Sequence, residues 1–323
     1  MFKSVFLSLL LVLTLIISCE EGPKRRYLAD SNGKMNHLTV VMEKSDWVGE
    51  LGKTTRKLLE APYEGLPLNE PQFSLKHLSP AIFSGFARNS RNVLWFQKDI
   101  IARFQLIENY YARPQIVAIV KGEDREAQAV FLEENIKLLR ATLSENEQKE
   151  KLRRIKKSPS RDKELCDRFK VRLVYPTAYK TVKDTTNFIW IQKLIQKGHL
   201  NIIAYSLPEN EIIGNTKKRI IEIRDSIGKV YIPGRLNGSF MITEKAYRPY
   251  FYKTKSDNKF CYLTKGTWEV ENDFMAGPFV NYMIKDTVNK RWMVLEGFGF
   301  APSINKRDYM FELNTILSSI RFE

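Results

Sequence analysis

Glu269, Glu271 and Asp273 stand at every second position of GTWEVEND. On an extended chain all three carboxylates would point to one side, with Trp268 and Val270 pointing to the other. Carboxylates at that spacing can share acid–base work or hold a cation. The same spacing also describes a solvated acidic strand face, where such side chains mostly sit. Phe274 and Met275 follow in a loop that bends at Asn272-Asp273 and Gly277-Pro278 and returns the chain. Packing of Phe274 into the core is the expectation; exposure would mark it and Met275 as contacts for a partner. These five residues are the candidate binding positions. Elsewhere the chemistry is sparse. His37, His77 and His199 are isolated, and GxSxG, HExxH, GxxxxGK[ST] and CxxC are all absent. No catalytic residue, metal ligand or cofactor is therefore assigned. Arg224, Asp225 and Lys229 look like surface pairing worth well under about 1 kcal/mol each.

Cys19 has the most specific setting. Lys3 precedes an apolar run from Val5 to Ile17 that Glu20, Glu21, Lys24, Arg25 and Arg26 close. A short basic segment and an apolar core of about 7–15 residues make a signal peptide, whereas a spanning helix needs about 20 apolar residues. Were the run retained as an anchor, Lys24-Arg25-Arg26 would hold the body in the cytoplasm. Ile16-Ile17-Ser18-Cys19 resembles the lipobox of bacterial lipoproteins. In that family the cysteine thiol takes a diacylglycerol through a thioether, the leader is cut before it, and the new amine is acylated. The resemblance implies that residues 1–18 are a signal peptide and Cys19 is a lipid attachment site. The body would then be tethered to a membrane of the cell envelope, the outer membrane foremost, with either face open. Glu20-Glu21 resembles the export signals of surface lipoproteins in Bacteroidota.

The chain has 323 residues, 52 basic against 37 acidic, for a net charge of +15. With 43% hydrophobic and 12% aromatic residues it has the material for a substantial core and none of the marks of disorder. The positive charge is scattered and no nucleic-acid motif occurs, so nucleic acid is not expected as a partner. An acidic partner, an anionic glycan or lipid head groups suit it better; a merely solvating surface suits it too. Cys166 and Cys261 sit in apolar, strand-like runs, CDRFKVRLVY and KFCYLTKG, where a disulfide and two buried thiols are both open.

The elements that would position these residues fall into two groups. Residues 19–36 form a polar tether, residues 37–157 an N-terminal α+β domain and residues 165–323 a C-terminal one, parted at KSPSR. In the first, strands are expected at Leu38–Met42, 72–78, 92–97, 104–109 and 115–121. A helix over about 123–157 carries Leu132, Ile136, Leu139 and Leu143 on one face. In the second, Phe169–Tyr175 reads as a strand. Thr216 caps a helix with Ile220, Ile223 and Ile227, which Gly228 stops. Arg291–Phe300 is apolar on both faces and so a covered central strand. Asn305 caps a closing helix with Tyr309, Leu313, Ile316, Leu317 and Ile320 inward. The class is α+β, antiparallel sheets with packed helices.

YLADSNGKMNHLTVVME, FSGFARNSRNV, IIEIRDSIGKVYIPG, GTWEVENDFMAGPFVNY and LEGFGFAPSINKRDYMFELNTILSSIRF resemble the DUF4837 family, lipoproteins of Bacteroidota without an established activity. The resemblance runs from about residue 27 to the C-terminus and supplies no catalytic residues. In order of elements the second half also resembles the PsbP/Mog1-type α/β/α sandwich. Together these imply an envelope lipoprotein of unknown activity, a non-enzymatic binding or accessory module for an envelope protein or anionic glycan. The alternative is a carboxylate-dependent hydrolase of the envelope.

Overall fold

The structure, a computed structural model, describes residues 27–212 and 216–323; Cys19 lies outside them. Two sheets organise the molecule. The first has five strands: β1 (His37–Val41), β2 (Ser74–Leu78), β3 (Asn92–Lys98), β4 (Arg103–Glu108) and β5 (Ile116–Gly122), in the order β2-β1-β3-β5-β4. Here the antiparallel expectation is corrected. The β1–β2, β1–β3 and β3–β5 pairings are parallel, and only edge strand β4 runs against its neighbour. The reason is the connection between β1 and β2. It is a helical crossover, α1 (Lys44–Val48) and α2 (Glu50–Leu59), instead of a hairpin, and a crossover returns the chain in the same direction. The three inner strands accordingly carry near-continuous apolar runs such as IVAIV, buried on both faces.

One face of this sheet packs on α2 and on α3 (Arg125–Ile155), the 31-residue helix. Asp124 caps α3 by accepting from Ala127 N at 2.8 Å, and Leu132, Leu139 and Leu143 are buried as the spacing predicts. Phe83, from the loop before β3, covers Val41, Val93 and Val117 on the other face.

The second sheet is antiparallel throughout. Its eight strands are β6 (Lys180–Thr185), β7 (Phe188–Ile195), β8 (Gly198–Pro208), β9 (Met241–Thr243), β10 (Tyr250–Ser256), β11 (Lys259–Val270), β12 (Ala276–Asp286) and β13 (Arg291–Phe300). They run β9-β11-β12-β13-β8-β7-β6, with β10 alongside β11. β13 sits at the centre and is buried on both faces, as its pattern requires. The strand expected over Phe169–Tyr175 is shortened to Val171–Arg172, which pairs antiparallel with Arg321–Phe322; a short helix, α4 (Glu164–Phe169), precedes it and ends at Lys170, at φ 55°. Cys166 lies on this helix with its thiol on Glu323, and both it and buried Cys261 are free.

Helix α5 (Thr216–Tyr231) covers one face of the sheet and α6 (Arg307–Ser318) the other, giving an α/β/α sandwich. α5 runs straight through Gly228. A Cβ there would stand 1.9 Å from the Met241 carbonyl, so this glycine admits strand β9 and stops nothing. α6 starts later than expected, and its N-cap is Lys306 in place of Asn305. Its cap group comes from the other half of the molecule: Glu70 accepts from Lys306 N at 2.7 Å and from Arg307 N at 2.9 Å. Carboxylate charge at a helix N-terminus is stabilising there. The halves also share apolar packing, since Ile155, Tyr63 and Leu66 lie against the α6-side core.

Candidate functional site

The acidic ladder is divided by the turn that follows it. Strand β11 ends at Val270, so Glu269 lies on the strand while Glu271 and Asp273 lie in the β11–β12 turn. Trp268 and Val270 face the core as alternation demands. Lys245 meets two of the acids and Arg235 the third. The Lys245 backbone donates to Glu269 at 3.4 Å, the Lys245 ammonium stands 3.9 Å from Glu271, and Arg235 grips Asp273 through two bonds of 3.0 and 2.6 Å. Those bonds from Arg235 hold the Asp273 carboxyl below its ordinary range. Phe274 is fully exposed at the tip of the turn, which corrects the expectation that it packs inward. Four residues fold back between Val270 and Met275, whose carbonyl accepts from Val270 N at 2.8 Å, and the tip has nothing beneath it to pack on. Met275 is half-buried against the α5-side core.

A larger concavity lies where the halves meet. It encloses about 340 Å³ between the Ala61–Glu64 segment, Gln72, Phe73 and α3 on one side, and Lys265, Phe311 and Asn314 on the other. The elements explain its polarity. Arg140, Ser144 and Gln148 recur every four residues on α3, one face of the helix turned toward the opposite half. Gln72 donates to Ser144 at 3.1 Å and Tyr282 donates to Asn314 at 3.0 Å, fixing both side chains. Lys265 pairs with Glu64 at 3.2 Å and lies over the rings of Tyr63 and Tyr252. Burial, then the charge of Glu64, pushes the Tyr63 phenol well up; burial and the bond to Glu64 push Tyr252 up to about 12. Both phenols stay protonated at neutral pH. Arg140 donates to the Leu58 carbonyl, while its Nε is buried without a partner among the described residues. Burial weakens the hold of this guanidinium on its proton. A cleft so lined can hydrogen-bond hydroxyls and accept negative charge.

Away from the cleft, the buried carboxylates are held by cations or backbone amides. Arg224 and Glu296, 2% and 0% exposed, meet across α5 and β13 through bonds of 2.9 to 3.1 Å. Asn281 donates to the same carboxylate at 2.9 Å, and the guanidinium lies 3.9 Å above Phe279. Surface pairing was the wrong reading of Arg224: it lies four residues after Ile220, on the stripe that faces the sheet. Arg91 and Glu147 form an equally buried pair in the other half. Glu312 takes Lys151 at 2.6 Å, Lys193 at 2.7 Å and the Tyr179 hydroxyl at 2.9 Å. Among the described residues no group of three or more His, Cys, Asp or Glu side chains is placed to hold a metal ion.

A sequence profile for domains of unknown function, DUF4837, matches residues 158–319, half of the chain. The chain belongs to the DUF4837 family. The match begins at the KSPSR break, and residues 31–156 match a separate profile of unknown function, DUF8532, so the DUF4837 likeness is shorter than the quoted stretches suggest. No curated protein matches the chain. Among solved structures, the Ran-binding protein Mog1p of Saccharomyces cerevisiae aligns over 47% of this chain and 90% of its own, at 10% identity and a TM-score of 0.31. A point mutant of Mog1 aligns over the same shares at 8% identity and 0.29. The sandwich of this DUF4837 member is established by its own strand pairing. The cleft is formed where the DUF4837 segment meets the DUF8532 segment, and sequence reasoning missed it. Its signal was the i, i+4, i+8 series Arg140, Ser144, Gln148 on a helix otherwise read for its leucines.

Proposed function

We propose that this chain is a cell-envelope lipoprotein that binds without cleaving, and that the cleft between its halves takes an anionic glycan. One observation carries the reading. The cleft presents amides from both walls and hydroxyls from one, with two cations, Arg140 and Lys265, against the single carboxylate of Glu64, which Lys265 already engages. Hydroxyls on a sugar need such paired donors and acceptors, and an acidic sugar adds a charge-assisted bond to a guanidinium. Glycoside hydrolysis, the alternative, calls for two carboxylates flanking one bond; Glu269 and Asp273 are instead engaged one by one on the β11–β12 turn. Net charge of +15 favours acidic ligands generally.

Calorimetric titration with uronic-acid oligosaccharides and with uncharged ones tests this. Saturable binding of the acidic series is expected, weakened about tenfold or more in Arg140→Gln and unchanged in Glu269→Gln. Failure of both series to bind, or an Arg140→Gln protein that binds as well as the parent, overturns it. The lipoprotein part has its own test: Cys19→Ala should lose palmitate labelling, and a variant that still incorporates label sinks that reading.

A further inference from the structure

Ile82 and Phe86 are 60% and 77% exposed on the two short helical turns that precede β3, and Tyr27, where the described chain begins, is 92% exposed. They belong to one region. Residues Ala29–Asp30 pair with Ala112–Arg113 in parallel, which brings Tyr27 level with Tyr110. Asn32 donates to the Phe86 carbonyl at 3.4 Å and its backbone to Asn89 at 2.8 Å, tying the same entry segment to the turns. Arg88 donates to the Phe83 carbonyl and lies 5.0 Å over the Tyr111 ring, whose centroid is 4.4 Å from that of its neighbour Tyr110. Arg113 is exposed beside them.

We infer that this face seats the protein on a lipid bilayer. The inference rests on the lipid anchor at Cys19 proposed above. Seven residues, 20–26, separate that cysteine from Tyr27. Fully extended they reach no more than about 29 Å, whereas a chain of this length folds to roughly 50 Å across. The far side of the molecule is therefore out of reach of the membrane, and the face around Tyr27 is the one brought to it. Its chemistry fits that occupant. Tyrosines place their rings at head-group depth, isoleucine and phenylalanine enter the acyl boundary, and arginines lay their stems along apolar surface with the charge outward. Lys24, Arg25 and Arg26 directly before Tyr27 add charge complementary to anionic head groups.

The test uses the full lipidated chain, with Cys166→Ser removing the accessible free thiol and Phe86→Cys carrying an environment-sensitive dye, in vesicles of phosphatidylethanolamine and phosphatidylglycerol. The same dye at Val288→Cys, on the β12–β13 turn, serves as reference. A blue shift and loss of most of the emission to nitroxide-bearing acyl chains is expected at 86 and neither at 288. Flotation of the protein with the vesicles reads the anchor separately. A protein that floats while the dye at 86 stays as wet as at 288 overturns the seating face and leaves the anchor standing. One that does not float removes the anchor and this inference together. A dye at 86 already shielded without lipid, on a chain that sediments as a dimer, gives the face to a second copy and also overturns it. Serine at both Ile82 and Phe86 should keep flotation and lose trypsin protection of the Arg88 peptide bond, a readout that needs no dye.

Discussion

Each half of the molecule buries one arginine–glutamate pair, and the two pairs do different work. In the C-terminal half Arg224 comes from the covering helix and Glu296 from the middle of the central strand, so the pair bolts one layer to another. Thr243 and Asn281 complete it from two further strands. In the N-terminal half the roles are exchanged. Glu147 comes from α3, Arg91 immediately precedes β3, and the pair sits at the end of the sheet. There it holds the segment that leads into β1: Arg91 donates to the carbonyls of Gly33 and Lys34 at 3.1 and 2.8 Å, and Glu147 accepts from Asn36 N at 2.5 Å. The same two side chains thus lock layers in one half and secure the entry of the chain in the other. What decides between these roles is the register position of the partner, which charge alone does not specify.

Breaking either pair should produce the largest effects. Glu296→Ala or Glu147→Ala leaves a buried guanidinium unpaired, a loss of about 3–5 kcal/mol in urea unfolding. Hydrogen exchange separates the roles. Glu296→Ala should deprotect α5 along its length, and Glu147→Ala should deprotect residues 31–38 first; identical exchange maps would erase the distinction. Replacing Arg224 by Met together with Glu296 by Leu should recover most of the loss, because a well-packed apolar pair is often as stable.

Glu70→Ala comes next, removing the cap of α6 at about 1–2 kcal/mol. Glu70→Gln should recover part of that through its remaining acceptor, and full recovery would show that charge at this helix end contributes nothing. Acid should then act on the contact between the halves. Burial alone would raise the Glu312 carboxyl, but the charges and hydrogen bonds of Lys151 and Lys193 outweigh it and hold the group below its ordinary value of 4.5. The unfolded chain then binds more protons in this range, so stability rises with pH. The contribution is complete above about 4.5 and is lost as pH falls through the lowered folded value. Glu312→Gln should flatten that part of the stability profile, and an unchanged profile would clear Glu312 of any role. The smallest effect belongs to Phe274→Ala, within about 0.5 kcal/mol of the parent because the ring is exposed; a loss of several kcal/mol would mean that the tip packs on something.

Much of this was readable from local pattern. The leucines of α3, the covered strand β13 and the inward Trp268 and Val270 all follow from periodicity, and the structure places them so. The buried charges were legible in part. On β13 the residues 292, 294, 298 and 300 form an apolar face whose missing member is Glu296, and on α5 Arg224 interrupts the isoleucine stripe at the matching depth. A charge set inside an apolar face is a request for a partner, and these two answer each other. Glu70 had no such signal. It lies 236 residues before the amides it caps, and nothing near it in sequence announces a helix end. The parallel N-terminal sheet had a partial signal in runs such as IVAIV, but a short edge strand such as SLKHL looks alike whichever way its neighbour runs.

That long reach from Glu70 to α6 has a kinetic consequence. Synthesis delivers the chain N-terminus first, and domains tend to fold as they emerge. α6 is the last helix to appear, and it brings Leu313, Ile316 and Leu317 to one face of the second sheet. Its first turn is also capped by a carboxylate laid down 236 residues earlier, in a segment that must be in place for the cap to form. Contacts of such high sequence separation form late and slowly. The sandwich therefore closes against a finished first half, and a refolding chain should acquire its N-terminal sheet before α6 becomes protected from exchange.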